Sequence, residues 1–159
     1  MYTHRALSTM DLTDICGFPQ TEQELLYVGP SFRFPLTPEQ ISDSLMNRFE
    51  PTVVIEEDSG QIAAYANLYN RCGHACWLGN VMVSPSHRGR GAGEFLLYAM
   101  MQKAKENYGV RELFLSCHHA NSRGLAFYHK HSFRPFDLKI SQLDDGRKII
   151  TVQMKKNLG

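Results

Sequence analysis

Between residues 75 and 109 the chain passes from an apolar, partly β-branched stretch through Ser84-Pro85 into Arg88-Gly89-Arg90-Gly91-Ala92-Gly93, and from there into apolar residues at helical spacing. That succession limits the fold more than any other feature. Proline cannot donate to a sheet ladder, so a strand from Ala75 must close by Val83. From Glu94 to Asn107, Phe95, Leu96, Ala99, Met100 and Lys103 recur at helical spacing, and Gly109 supplies the stop. The glycines between allow positive φ and let backbone N–H groups converge at the positive end of the helix dipole, where a phosphate or pyrophosphate can close on the main chain. His87, Arg88 and Arg90 add charge there. Two nucleotide loops are excluded. Gly93 leads into Glu94-Phe95 and not Lys-Ser/Thr, and Gly89-x-Gly91-x-Gly93 lacks the dinucleotide spacing. On these residues alone the segment is either an anion-binding turn or a glycine-rich connection that holds nothing.

The remaining chain reads as alternating strands and helices. His4 to Leu7 is a short strand, and Ser8 caps a helix toward Gly17. Residues 18 to 35 mix Pro, Gly and aromatics as helix fragments and loop. Thr37-Pro38-Glu39-Gln40 opens a helix to about Phe49, with Gln40 at the capping-box position. Thr52–Glu56 and Ile62–Tyr69 form a hairpin around Asp58-Ser59-Gly60. Beyond the glycine loop and its helix, Arg111–Cys117 reads as a strand, Asn121–His131 as a helix and Phe133–Leu138 as a strand. A turn at Leu143–Gly146 leads to a last strand, Lys148–Met154. The C-terminal half is therefore βαβαββ, without repeat or linker.

A chain of 159 residues predicts a single domain, residues 1–159. Lys plus Arg number 17 against 16 Asp plus Glu, a net charge of +1, which argues against nucleic acid or an anionic membrane as partner despite Lys103, Lys105 and Arg111. No apolar run approaches the roughly 20 residues that span a bilayer, and no signal peptide follows Met1, so the expected location is cytoplasmic. Cys16, Cys72, Cys76 and Cys117 are then expected as thiols. Cys72, His74 and Cys76 have no second pair at matching spacing, so no metal is expected. The sequence is compatible with a homodimer but does not specify one.

Val81-Met82-Val83-Ser84-Pro85-Ser86-His87-Arg88-Gly89-Arg90-Gly91-Ala92-Gly93 resembles the coenzyme A segment of the GNAT superfamily of acyl-CoA N-acyltransferases, whose hallmark Gln/Arg-x-x-Gly-x-Gly/Ala is met by Arg88, Gly91 and Gly93. Downstream, Asn121-Ser122-Arg123-Gly124-Leu125-Ala126-Phe127-Tyr128-His129-Lys130-His131-Ser132-Phe133 is similar to the family's Asn-x-x-Ala-x-x-Phe-Tyr-x-Lys-x-Gly-Phe. The likeness is strong over residues 51 to 138. Gly124 replaces an alanine, a change expected to be harmless, and Ser132 replaces a glycine where a positive-φ cap is wanted.

The resemblance implies an α/β domain with a mixed, mostly antiparallel sheet of about seven strands flanked by helices, with a splayed central pair that forms a coenzyme A slot. It implies acetyl-coenzyme A as cofactor, held by the main chain of Val81, Met82 and Val83, by the N–H groups of Arg88, Gly89, Arg90, Gly91, Ala92 and Gly93, and near the arm by Asn121. A primary amine of a small molecule would attack the thioester directly, with peptide or protein amino groups as the second choice. A backbone N–H near Met82 would face the developing oxyanion, and Tyr128 would protonate the leaving thiolate. A non-catalytic coenzyme A sensor is the alternative. No base stands out. Asn67 and Asn80 occupy the strands where relatives carry glutamate, and Glu22, Glu24, His118 and His119 are substitutes. Cys117 is expected to be a buried small residue and not an acetyl carrier. Tyr27, Phe32 and Phe34 form either an apolar acceptor wall or loop packing.

Overall fold

The computed structural model describes residues 1–159. Its strands are β1 (Tyr2–Ala6), β2 (Arg48–Glu56), β3 (Ile62–Cys72), β4 (Ala75–Val83), β5 (Glu112–His118), β6 (Arg134–Gln142) and β7 (Lys148–Asn157). Its α-helices are α1 (Leu12–Cys16), α2 (Glu22–Val28), α3 (Pro38–Ser44), α4 (Ala92–Tyr108) and α5 (Ser122–Lys130). The strands form one sheet in the order β1-β2-β3-β4-β5-β7-β6, antiparallel throughout except for β4 beside β5. No helix is long and apolar enough to cross a membrane.

Period-two alternation in β3 assigns the two faces. Ala64, Ala66 and Leu68 face α4 and pack with its Leu96 and Met100. Each of these large side chains, removed from water, contributes about 1.5–3 kcal/mol. Tyr65 points the other way, into a second cluster with Met82, Val53, Leu25 and Ile41, which closes α1, α2 and α3 onto the opposite face.

Three local readings change. The helix opened by Thr37 ends at Ser44 with a 3-10 turn over Leu45–Asn47, and β2 starts at Arg48. The cause is a bulge: Phe49 pairs with Leu68 and Thr52 with Ala66, and Glu50 takes up the extra residue at φ 50°. Thr37 caps as expected, but the Gln40 side chain turns back to the loop, bonding to Arg33 and to the Pro35 carbonyl. β6 continues beyond Leu138 to Gln142 because it pairs residue by residue with β7.

At the end of α5 the chain forms a Schellman closure: Phe133 N–H bonds to the Tyr128 carbonyl at 3.0 Å and Ser132 N–H to the His129 carbonyl at 3.1 Å. Ser132 holds the left-handed position at φ 73°. A side chain there is strained, and Ser132→Gly is expected to raise stability by about 0.5–1 kcal/mol after the larger unfolded-state entropy of glycine is subtracted. In thermal melts this is a rise of about 1–4 °C, and a lowered melting temperature would refute it.

Candidate active site

Parallel pairing between β4 and β5 runs from Ala75↔Glu112 to Leu78↔Leu115 and then stops. The reason lies in β4. Its register with β3 goes from Tyr65↔Met82 to Asn67↔Gly79, so Asn80 and Val81 together face one residue, and Asn80 adopts φ 51°. Such a bulge bends the strand and sharpens its twist. Val81, Met82 and Val83 turn away, while Ser116 to His118 stay paired with β7. An open wedge results, in which the main chain of Val81–Val83, still paired with β3 on one edge, has no strand partner on the edge that faces β5. The sequence held a signal for the bulge in Gly79-Asn80, since asparagine tolerates the left-handed region better than other non-glycine residues.

At the wide end of the wedge, Gly89 at φ 71° and Gly91 at φ 86° swing the chain into α4. The amides of Gly89 to Glu94 donate to no turn or loop carbonyl, so they remain available to an anion at the helix N-terminus. The Arg88 side chain is directed elsewhere. Its guanidinium and Nε bond to the Val83 carbonyl at 3.3 Å, the Phe18 carbonyl at 3.1 Å and Glu24 at 2.9 Å. Arg90 bonds to the Ser86 carbonyl, and its own carbonyl accepts from the Tyr2 hydroxyl.

The other wall comes from α5. Asn121 Oδ1 caps the helix by accepting the Gly124 N–H at 3.0 Å, which leaves its Nδ2 free. A Cβ on Gly124 would lie 2.9 Å from Asn121 Cγ, so glycine and alanine are not interchangeable here as the sequence suggested: this cap occupies the space a methyl would need. Phe127 and Tyr128 line a narrow cleft with Val81 and Gly93. Tyr128 is fixed by the Schellman turn and by an edge contact with Phe133, ring centroids 5.8 Å apart. Burial pushes its phenol well above the usual range, and neighbouring Cys117 adds to the effect, while no hydrogen bond opposes it. The hydroxyl is therefore a proton donor at neutral pH. Burial also pushes the Cys117 thiol up to about 11, which leaves it protonated and a poor nucleophile.

A wedge ending in an anion-binding helix terminus, with a protonated phenol beside it, is the geometry expected of an acyl-CoA enzyme. The sequence model described as the acetyltransferase (GNAT) family matches residues 18–133. This chain belongs to that family. Its acyl donor is accordingly acetyl-coenzyme A. Solved structures of GNAT proteins superpose over nearly the whole chain. A candidate phosphinothricin N-acetyltransferase shares 22% identity at TM-score 0.79, covering 100% of this chain and 99% of that one. The ribosomal-protein-S18-alanine N-acetyltransferase from Escherichia coli shares 20% at TM-score 0.73, covering 100% and 95%. Spermidine N-acetyltransferase from Vibrio cholerae, in complex with CoA and spermine, shares 14% at TM-score 0.78, covering 99% and 95%.

The base candidates separate once their partners are known. Asn67, fully buried, gives its Nδ2 to the Tyr65 hydroxyl and to Asn80 Oδ1, both at 3.0 Å, while Asn80 Nδ2 bonds to the Val28 carbonyl at 3.1 Å. These amides tie α2 to the bulge and carry no basic lone pair. Burial would raise the Glu24 carboxyl, but its bonds to Arg88 and to the Gln20 amide outweigh burial and hold it below the usual range, a weak base. Glu22 is exposed on α2. His118 Nδ1 accepts the Ala120 N–H at 3.0 Å, which leaves Nε2 as the protonated nitrogen. Burial and His119 push it down, so it is neutral at pH 7. His119 donates from Nδ1 to the Ile150 carbonyl at 3.1 Å, which leaves Nε2 as the ring nitrogen without a protein partner. Of the aromatics, Phe32 packs into the second core and Phe34 is exposed, while Tyr27 meets the His118 ring at 5.0 Å.

Proposed function

We propose that residues 1–159 act as one N-acetyltransferase domain that moves acetyl from acetyl-coenzyme A to a primary amine of a small molecule, directly within a ternary complex. The observation that carries this reading is the wedge at Asn80, with free main chain on one side and the Tyr128 hydroxyl on the other. When bound, acetyl-coenzyme A supplies an acetyl group activated as a thioester. The main chain of Val81, Met82 and Val83 binds the arm, and the amides from Arg88 to Gly93 bind the pyrophosphate. Asn121 reaches the arm with Nδ2, since Oδ1 is committed to the cap. Tyr128 gives its proton to the departing sulfur. His119 Nε2, or water leading to it, takes the proton of the acceptor ammonium. Support for a small acceptor over a protein chain comes from Tyr27 of α2, whose ring meets that of His118 at the end of β5 with centroids 5.0 Å apart, a contact that narrows the approach between the two elements.

Thiol release from acetyl-coenzyme A over a panel of primary amines tests the reading. Turnover of at least one small amine is expected, with no acceptor-independent burst of thiol. Cys117→Ala is expected to keep turnover within about threefold, since a ping-pong carrier would lose it entirely. Tight coenzyme A binding with no amine turned over would favour a sensor, and turnover of peptide N-termini alone would favour a protein acetyltransferase.

A further inference from the structure

On the face of the sheet opposite α4, Arg48 holds a position that acetyl transfer itself does not use. It is half-buried, its guanidinium lies 4.1 Å over the Tyr69 ring, and one N–H goes to Asn67 Oδ1 at 3.0 Å. No carboxylate pairs with it: none of the seven ion pairs of the chain includes Arg48. A guanidinium has five N–H donors and stays charged, so a cation drawn out of water ordinarily brings a counter-ion with it. The bond to Asn67 is the only one the Arg48 side chain makes with the protein, and none of its other nitrogens is fully enclosed, so those donors remain available to a ligand.

The sequence around Arg48 makes room for it. Any Cβ at Gly79 would overlap Arg48 Nη1 and approach Tyr69 Cε1 to 2.8 Å. Gly79 directly precedes the bulge residue Asn80, and Asn67, which orients the guanidinium, also bonds to Asn80. Arg48 is thus fixed on the surface of β4 just below the wedge. From Tyr69 a row of half-buried rings leads away across the sheet, to Trp77 at 6.1 Å and on to Phe114 stacked at 5.2 Å.

Building on the acetyltransferase reading, we propose that Arg48 binds the carboxylate of the acceptor, and that the acceptor is a free amino acid with an aromatic or other large apolar side chain. A carboxylate on Arg48 is held by charge-assisted bonds. The amine, one carbon away, then lies toward Asn80 and Met82, and the side chain lies on Trp77 and Phe114. A polyamine would bring like charge to Arg48, and a peptide N-terminus has no carboxylate at that distance.

The test compares L-phenylalanine with phenethylamine, which lacks only the carboxylate. Wild-type kcat/KM is expected to favour the amino acid by roughly 10–100-fold, the range of a charge-assisted bond. In Arg48→Met the ratio is expected to fall to about one, and in Arg48→Lys, which keeps charge without the fork, about halfway on a logarithmic scale. Trp77 is the single tryptophan, so its fluorescence reports occupancy without turnover. N-acetyl-L-phenylalanine should change that emission in the coenzyme A complex of the wild type, with affinity reduced in both variants. Equal turnover of the two wild-type substrates, better turnover of spermidine, or equal loss on both substrates in the variants would overturn the proposal. A protein that binds coenzyme A but acetylates no amine overturns the acetyltransferase reading instead, and the Trp77 titration still decides the role of Arg48.

Discussion

Tyr128→Phe is expected to lower kcat about 10²-fold, the usual contribution of a positioned acid, while coenzyme A affinity stays within about threefold. The split follows from what the substitution removes. The ring remains against Phe133 and in the cleft with Val81 and Gly93, so the packing that shapes the wedge persists. Only the hydroxyl is lost, and it has no protein partner to leave unsatisfied. The pH profile gives a second check. Because burial raises the phenol above its ordinary 10.0, it stays protonated below that value, and wild-type kcat should show no falling limb up to pH 10. The activity instead rises with pH as the acceptor amine loses its proton. Unchanged kcat in the variant would remove Tyr128 from the chemistry.

Gly91→Ala is expected to weaken coenzyme A binding about tenfold, measured by calorimetry, because a left-handed non-glycine residue costs about 1–3 kcal/mol. Gly91 sits at φ 86° immediately before the first turn of α4, and strain from an added side chain would be relieved by rotating the free amides of that turn, those proposed to bind the pyrophosphate. No atom lies within 4 Å of its Cβ position, so conformation and not bulk decides the effect. Gly93→Ala is the control. Gly93 has no positive φ, and its added methyl would meet Val83 at 3.4 Å, an ordinary contact, so a smaller loss is expected there. Equal losses at the two positions would show that steric approach, and not backbone conformation, governs the loop.

Features set by neighbours along the chain were legible in the sequence. Gly91, the periodicity of α4 and the stop at Gly109 depend on local conformation, and all three stand where expected. Thr37 caps its helix through a local hydrogen bond, as its place before Pro38 implied. What depended on distant partners was hidden. Arg48 reads as the polar end of a helix, because its burial is created by Tyr69 and Gly79, more than twenty residues away. Asn67 and Asn80 read only as residues standing where relatives carry glutamate; their mutual bond and the Val28 carbonyl show a structural use. Gly124 looked like a neutral exchange because the obstruction is the side chain of its own helix cap. The proton state of the histidines was also beyond reach, since it rests on which ring nitrogen meets a backbone group.

Arg88 has a mechanical consequence. One guanidinium grips the end of β4, the loop after α1 and a carboxylate of α2. The glycine loop and α2 are therefore spliced at a single joint, and neither can shift alone without breaking a bond at that joint. Ordering at one end of this joint is carried across to the other, so the loop that opens α4 and the helix that carries Tyr27 are parts of one lever and not two separate clamps.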